Sequence, residues 1–158
     1  MIARAAQVED YEALCGLWRV MDDLHARILP DYFRRPPGAP RSRAEVERIL
    51  HSPDETLRVA EDPDDGVVGL CHTMLYDTPP VPAMTPCRRA HIDSLVVLPR
   101  WQRRGVGRLL VGDAGDWARA RHAAEVVLTV WAGNVAAVKF YDALGFRAVN
   151  TVLGKRLD

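Results

Sequence analysis

The chain has 158 residues, and its 21 lysines and arginines balance its 21 aspartates and glutamates. A chain of this size buries roughly 70% of its unfolded surface, so it is expected to form a single domain over residues 1–158 with its own core. Zero formal net charge argues against a nucleic-acid or membrane-surface partner, since both reward excess positive charge. Only Lys139 and Lys155 are lysine; the other basic residues are arginine. Cys15, Cys71 and Cys87 follow no disulfide or metal spacing. With no signal-peptide pattern, they read as reduced thiols of a cytoplasmic protein. No Cys-x-x-Cys pair or histidine cluster suggests a metal, and the apolar runs are too short to span a membrane.

In chain order, Ile2–Ala6 alternates weakly and is expected to be a first strand. Val8, Tyr11, Leu14, Cys15, Leu17, Trp18 and Met21 recur at helical spacing, which predicts an amphipathic helix ending near Pro30. A proline-rich loop follows from Pro30 to Ser42. Ser42 and Glu45 form a capping-box pattern for a short helix over Arg43–Leu50. Thr56–Glu61 and Val67–Tyr76 read as strands joined by the turn "DPDDG", and a second proline-rich loop covers Asp77–Pro86. Ala90–Leu98 reads as a third strand of an antiparallel meander.

The pattern then changes. Val106, Leu109, Leu110, Ala114, Trp117 and Ala118 follow helical spacing, and "EVVLTVW" (Glu125–Trp131) is the continuous apolar run of a parallel strand covered on both faces. Strand, helix and strand in this order make a βαβ unit. Asn134 suits an N-cap and Gly145 a C′ position, which predicts a helix across "NVAAVKFYDALG". "FRAVNTVLGKRL" is expected to supply one or two closing strands.

The stretch "PRWQRRGVGRLL" (Pro99–Leu110) puts Gly105 and Gly107 at a helix start, although glycine weakens a helix by about 1 kcal/mol relative to alanine. A helix N-terminus carries unpaired N–H groups and partial positive charge, and glycine lets backbone approach a ligand closely. Arg103, Arg104 and Arg108 add forked donors suited to phosphate oxygens. The reading is a diphosphate cradle, against the alternative of an ordinary tight turn. No Lys-Ser or Lys-Thr completes a P-loop, and Leu110 stands where a dinucleotide motif needs its third glycine.

The same residues resemble a known family. "LVVLPRWQRRGVGRLL", with Gln102–Gly107 as its Gln/Arg-x-x-Gly-x-Gly/Ala element, is similar to motif A of the Gcn5-related N-acetyltransferases (GNAT). "NVAAVKFYDALGFRAV" is similar to their motif B, with Asn134, Ala137, Phe140, Tyr141, Leu144, Gly145 and Phe146 in place. The resemblance implies an α/β (α+β) fold: a mixed, mostly antiparallel six- or seven-stranded sheet, about four helices and a central βαβ cofactor unit. It implies an acetyltransferase using acetyl-CoA as cosubstrate and no metal. The loop Gln102, Arg103, Arg104, Gly105, Val106, Gly107, Arg108 would hold the coenzyme A pyrophosphate. The pantetheine arm would lie along Leu95, Val96 and Val97, where two strands splay apart. Asn134 would hydrogen-bond that arm, Ala137 shares its helix, and Phe140 and Tyr141 would border the acyl end.

Acyl transfer to an amine needs a deprotonated amine, a polarised carbonyl and a proton for the leaving thiolate. The resemblance gives Tyr141 the role of general acid; the plain alternative is an amphipathic helix residue. Asp93 lies two residues before Leu95 and is expected on the same strand face. It is the candidate base, with loop anchoring or ammonium binding as alternatives. His91 and, from the adjacent strand, His72 are fainter candidates. A backbone N–H in Leu95–Val97 would serve the oxyanion. Asp22, Asp23, His25, Tyr32 and Phe33 lie where the family shapes its acceptor site. Gly112 and Gly115 are read as allowing close helix–sheet packing. The partner is expected to be a small-molecule or peptide amine. Family members often dimerise, which puts a homodimer through the last strands among the expectations. The alternative function is a non-catalytic acyl-CoA-binding or regulatory module on the same fold.

Overall fold

In a computed structural model that describes residues 1–157, one mixed sheet carries helices on both faces. The elements are β1 (Ile2–Ala5), α1 (Tyr11–Ile28), α2 (Arg43–His51), β2 (Glu55–Asp62), β3 (Gly66–Asp77), β4 (Arg88–Val97), α3 (Val106–Arg119), β5 (Glu125–Leu128) and α4 (Val135–Ala143). The sheet order is β1-β2-β3-β4-β5. All pairs are antiparallel except β4 with β5. The meander and the strand–helix–strand unit are therefore present.

Each face of the sheet has its own core. Leu14, Leu17 and Trp18 of α1 and Val46 and Ile49 of α2 pack with Leu57, Val59, Leu70 and Val96. On the opposite face Val106, Leu110 and Ala114 of α3 pack with Ala60, Val68, Cys71 and Ile92. The helical spacing of the apolar residues put them on one stripe of each helix, and that stripe is what the sheet covers. Arg58 of β2 holds α3 with a two-pronged bond to Asp113, at 2.5 and 2.9 Å. Ser42 Oγ accepts the Glu45 N–H at 3.1 Å, so α2 begins at its expected cap.

The strand count differs from the expectation: the sheet has five strands, not six or seven. β5 stops at Leu128, short of Trp131, and no strand forms between Phe146 and Leu157. Val149, Val152, Leu153 and Leu157 stay exposed. A strand needs an edge to pair with, and this segment takes none.

Two of the three glycines within α3, Gly112 and Gly115, do not pack against the sheet. A Cβ built on Gly112 or Gly115 would meet nothing within 4 Å. The close approach is at Gly69 of β3, where a Cβ would stand 3.1 Å from both Leu110 Cδ1 and the Val96 carbonyl oxygen. The missing side chain on the strand, not on the helix, lets α3 settle onto the sheet.

Candidate functional site

β4 and β5 are paired only from Arg89↔Glu125 to Ile92↔Leu128. Beyond Ile92 they separate, and β4 alone continues to Val97. The split coincides with a bulge. On β3, His72 and Thr73 are consecutive, but they pair with Ser94 and Ile92, leaving Asp93 as the extra residue. Further along, the Leu98 N–H donates to Val68 O on β3 at 2.9 Å. Alternation then turns the main-chain groups of Val97 and Leu95 to the opposite, open edge. One of them has a partner: Gln102 Nε2 donates to Val97 O at 3.1 Å.

The bulge also corrects the expected face of Asp93. Leu95 and Val97 pack on the α3 side. Asp93 points to the other side, toward His72, with His72 Nδ1 3.4 Å from Asp93 Oδ2. His72 in turn places Nε2 2.9 Å from Glu55 Oε2, and Glu55 accepts from Arg48 of α2 at 2.5 Å. Ser94 Oγ donates to Asp93 Oδ2 at 2.8 Å. His72 is buried, while two fifths of the Asp93 side chain (41%) is exposed. The His72 hydrogen bond, with help from Ser94, outweighs burial and holds the Asp93 carboxyl down at about 2. Burial opposes ionisation of Glu55, but Arg48 and His72 together keep its carboxyl below the ordinary glutamate value.

At the end of β4 the chain makes the glycine turn. Gly105 is the N-cap of α3 with φ of 86°, a left-handed conformation suited to glycine. Arg103 also has positive φ, 61°. After Gln102, the next main-chain amide of the turn to donate within the protein is that of Leu109, to Gly105 O at 2.9 Å. The amides between are those that a helix start leaves for a ligand. Among the described residues, Arg103, Arg104 and Arg108 form no ion pair; Arg104 lies over the Trp101 ring. Trp101 Nε1 donates to Asp65 Oδ2 at 2.8 Å, which ties the turn to the β2–β3 connection. Gly105 and Arg108 open onto a groove of 490 Å³ along the outer side of α3.

Helix α4 supplies the far wall. Asn134 Oδ1 accepts the Ala137 N–H at 3.2 Å, so the N-cap uses the carboxamide oxygen and leaves its NH₂ group available. Phe140 sits on Gly107, where a Cβ would stand 3.1 Å from Phe140 Cζ. The helix ends in a Schellman turn: Phe146 N–H to Tyr141 O at 3.1 Å and Gly145 N–H to Asp142 O at 3.0 Å, with Gly145 at φ of 90°. That turn brings Phe146 against Tyr141, with ring centroids 5.5 Å apart, while Phe140 flanks the same ring at 5.1 Å. Burial pushes the Tyr141 phenol up, with a smaller contribution from Cys71. Cys71 is itself buried on the α3 side of β3 and pushed up to about 12. Tyr141 is thus held between Phe140 and Phe146, and Asp93 faces the α1 side of the split.

Comparison with known proteins decides the family. The acetyltransferase (GNAT) family model matches residues 20–146. The chain belongs to the GNAT acetyltransferase family. No curated protein matches the sequence. Among solved structures, a mutant of the BH1408 protein from Bacillus halodurans is 25% identical with a TM-score of 0.94, covering 99% of each chain. The aminoglycoside N-acetyltransferase AAC(6')-Iy, solved with CoA, is 18% identical with a TM-score of 0.74, covering 99% of this chain and 98% of that one. An aminoglycoside acetyltransferase from an uncultured soil metagenomic sample, solved with sisomicin, is 15% identical with a TM-score of 0.72, covering 99% and 94%. The latter two share the fold.

The GNAT chain also gathers side chains that the sequence left scattered. Phe33 stacks on His25 at 4.8 Å, and Trp131, just past β5, meets both Tyr32 and Phe33 at 5.0 Å. Asp23 pairs with Arg35 at 2.6 Å, while burial raises the Asp22 carboxyl. Asp22 and Asp23 line a 310 Å³ pocket with Arg19 and Arg35. That mixed charge is not a simple cation trap. Among the described residues no three His, Cys, Asp or Glu side chains are arranged to hold a metal, and no helix is long and apolar enough to cross a membrane.

Glu55 and Trp131 were the residues that sequence reading missed as site components. Glu55 reaches His72 only because the β2–β3 register sets Leu57 opposite His72 and Glu55 opposite Met74. Nothing local in "PDETLR" signals that.

Proposed function

We propose that this protein is an N-acetyltransferase that moves the acetyl group of acetyl-CoA to a primary amine of a small molecule or peptide, working as a single domain. The observation that carries the reading is one junction. The open edge of β4 leads, through one short helical turn at Pro99–Trp101, to the glycine turn at the start of α3, so an extended ligand ending in a diphosphate suits both. Main-chain groups of Leu95 and Val97 suit the amides of a pantetheine arm. The amides of the turn, with Arg103, Arg104 and Arg108, suit the pyrophosphate. Gly105, beside which a Cβ would meet nothing within 4 Å, leaves room for that approach, while Gly107 receives the Phe140 ring. The Gln102 side chain on Val97 O is the group such an arm would displace or adjoin. Asn134, through its NH₂, would hydrogen-bond that arm, with Ala137 on the same helix, and Phe140 and Tyr141 on α4 would border the acyl end.

The reaction follows from what faces the split. The amine nitrogen attacks the thioester carbonyl, and a β4 amide in the Leu95–Val97 stretch stabilises the oxyanion. Tyr141 stands ready as the acid. Burial keeps its phenol protonated until thiolate charge develops beside it, and the proton then passes to sulfur. Asp93, across the split, meets the incoming ammonium and is the first acceptor of its proton. The aminoglycoside N-acetyltransferase and the aminoglycoside acetyltransferase that share the fold are in line with this reading.

Turnover tests the reading. Release of free CoA from acetyl-CoA in the presence of a panel of primary amines, sisomicin among them, supports it. Binding of acetyl-CoA with no amine-dependent release across a broad panel favours the non-catalytic module.

A further inference from the structure

We propose that Glu55, His72 and Asp93 form one proton-sharing chain, and that this chain, not Asp93 alone, takes up the proton of the acceptor amine. The inference rests on the acetyltransferase reading, with His72 and Glu55 as positioning residues that act through Asp93.

The geometry is a line across three adjacent strands. Glu55 of β2 meets Nε2 of His72 on β3 at 2.9 Å, and Nδ1 meets Asp93 of β4 at 3.4 Å. The ring is 5% exposed, so water does not separate it from either carboxylate in bulk. A neutral imidazole has one N–H and one bare nitrogen. Placed between two carboxylates, either tautomer aims a lone pair at an acceptor unless a proton is shared along the line.

The charged surroundings isolate the line. Arg48 of α2 stands behind Glu55. The Ser94 hydroxyl donates to Asp93 at 2.8 Å. The inward side chains of α1 are Leu14, Cys15, Leu17 and Trp18, none of them charged. Asp93 is the end of the line that reaches the split, with 41% of its side chain exposed, while the Glu55 side chain is 12% exposed.

The step balances without any further reactant. An N–H bond of the acceptor ammonium breaks, and an O–H bond forms on Asp93. With its own proton on Nε2 and donated to Glu55, His72 takes the Asp93 proton at the bare Nδ1. The ring becomes an imidazolium between two carboxylates, and the Asp93 carboxylate is restored while the amine attacks. After the product leaves, the Nδ1 proton returns through Asp93 to water entering the split. Glu55, backed by Arg48, thus fixes the Nε2 proton and offsets the charge of the ring.

The test is the protonation of the His72 ring nitrogens, read by long-range ¹H–¹⁵N spectra at neutral pH in the full chain without cosubstrate. Wild type, Glu55→Gln and Asp93→Asn are compared, with the other histidine signals and the melting temperature as checks on folding. The chain predicts that in wild type Nε2 reads as protonated and Nδ1 as bare, that Asp93→Asn keeps this tautomer, and that Glu55→Gln moves Nδ1 toward the protonated position by a substantial part of the range. If wild-type His72 carries its proton on Nδ1, no nitrogen is left to take the Asp93 proton and the proposal is overturned. Should Glu55→Gln fail to fold, Arg48→Met perturbs Glu55 from the exposed side and is read in the same way. These spectra need no cosubstrate, so the wrong tautomer would remove the chain and leave the acetyltransferase reading standing. Failure to bind acetyl-CoA would remove that reading and leave the spectra unaffected.

Discussion

Phe140 of α4 rests on Gly107 at the start of α3, so closely that a Cβ at 107 would stand 3.1 Å from its ring. The contact joins the glycine turn to the helix that carries Tyr141. Gly107→Ala must push the ring by a few tenths of an ångström, and it narrows the space above the turn. Acetyl-CoA affinity is expected to fall about tenfold, equal to about 1.4 kcal/mol, while the fold is kept. Titration calorimetry beside a thermal melt checks both halves.

Glycine positions elsewhere separate packing from ligand binding. Gly69→Ala drives a methyl toward the Val96 carbonyl and Leu110, and such overpacking costs about 1–3 kcal/mol. Gly115→Ala meets nothing and gains up to about 1 kcal/mol from helix propensity. The melting temperature should drop by several degrees in the first and rise slightly in the second. Equal effects would contradict the assignment of the close approach to β3.

Tyr141→Phe keeps the ring that Phe140 and Phe146 flank and removes only the hydroxyl. Proton transfer of this kind is worth about 10²-fold or more in rate. The expected outcome is a kcat lowered by about that factor with acetyl-CoA binding unchanged. Full turnover in the variant would take the acid role from Tyr141.

Asp93 gives a pH prediction with a definite sign. Its folded value lies near 2, below the ordinary aspartate value of 3.8, chiefly through the His72 hydrogen bond. The stabilisation is therefore present above about pH 4 and is lost as pH falls toward 2. Because two fifths of the side chain is exposed, solvent screening reduces the effect to about 1 kcal/mol. Denaturant melts of wild type and Asp93→Asn should differ at pH 6 and converge by pH 2. A gap that does not close on acidification would contradict the sign.

Much of this was legible because local rules agreed. Ser42, Asn134 and Gly145 declared helix ends, and those ends occur where the caps stand. The apolar stripe from Val106 to Ala118 showed which side of α3 would meet the sheet. The glycines of "RRGVGR" marked a bare helix start before any strand was placed. What failed was non-local. The bulge at Asp93 shifts one residue of register and so reverses the face of everything before it. No residue type in "HIDSLVV" announces it. The same limit hid Glu55, which meets His72 only across a strand pairing. The tail "FRAVNTVLGKRL" alternates well enough for a strand, but alternation does not supply an edge to pair with.

The measurement closest to the central claim is a calorimetric titration of the folded protein with acetyl-CoA and CoA, with ATP and NAD as comparisons. The account predicts micromolar binding of both CoA species, weakened when Arg103, Arg104 and Arg108 are replaced by glutamine, and no comparable binding of ATP or NAD. Folded protein that binds neither CoA species would contradict the proposal that the open edge of β4 and the glycine turn hold a pantetheine arm and its diphosphate.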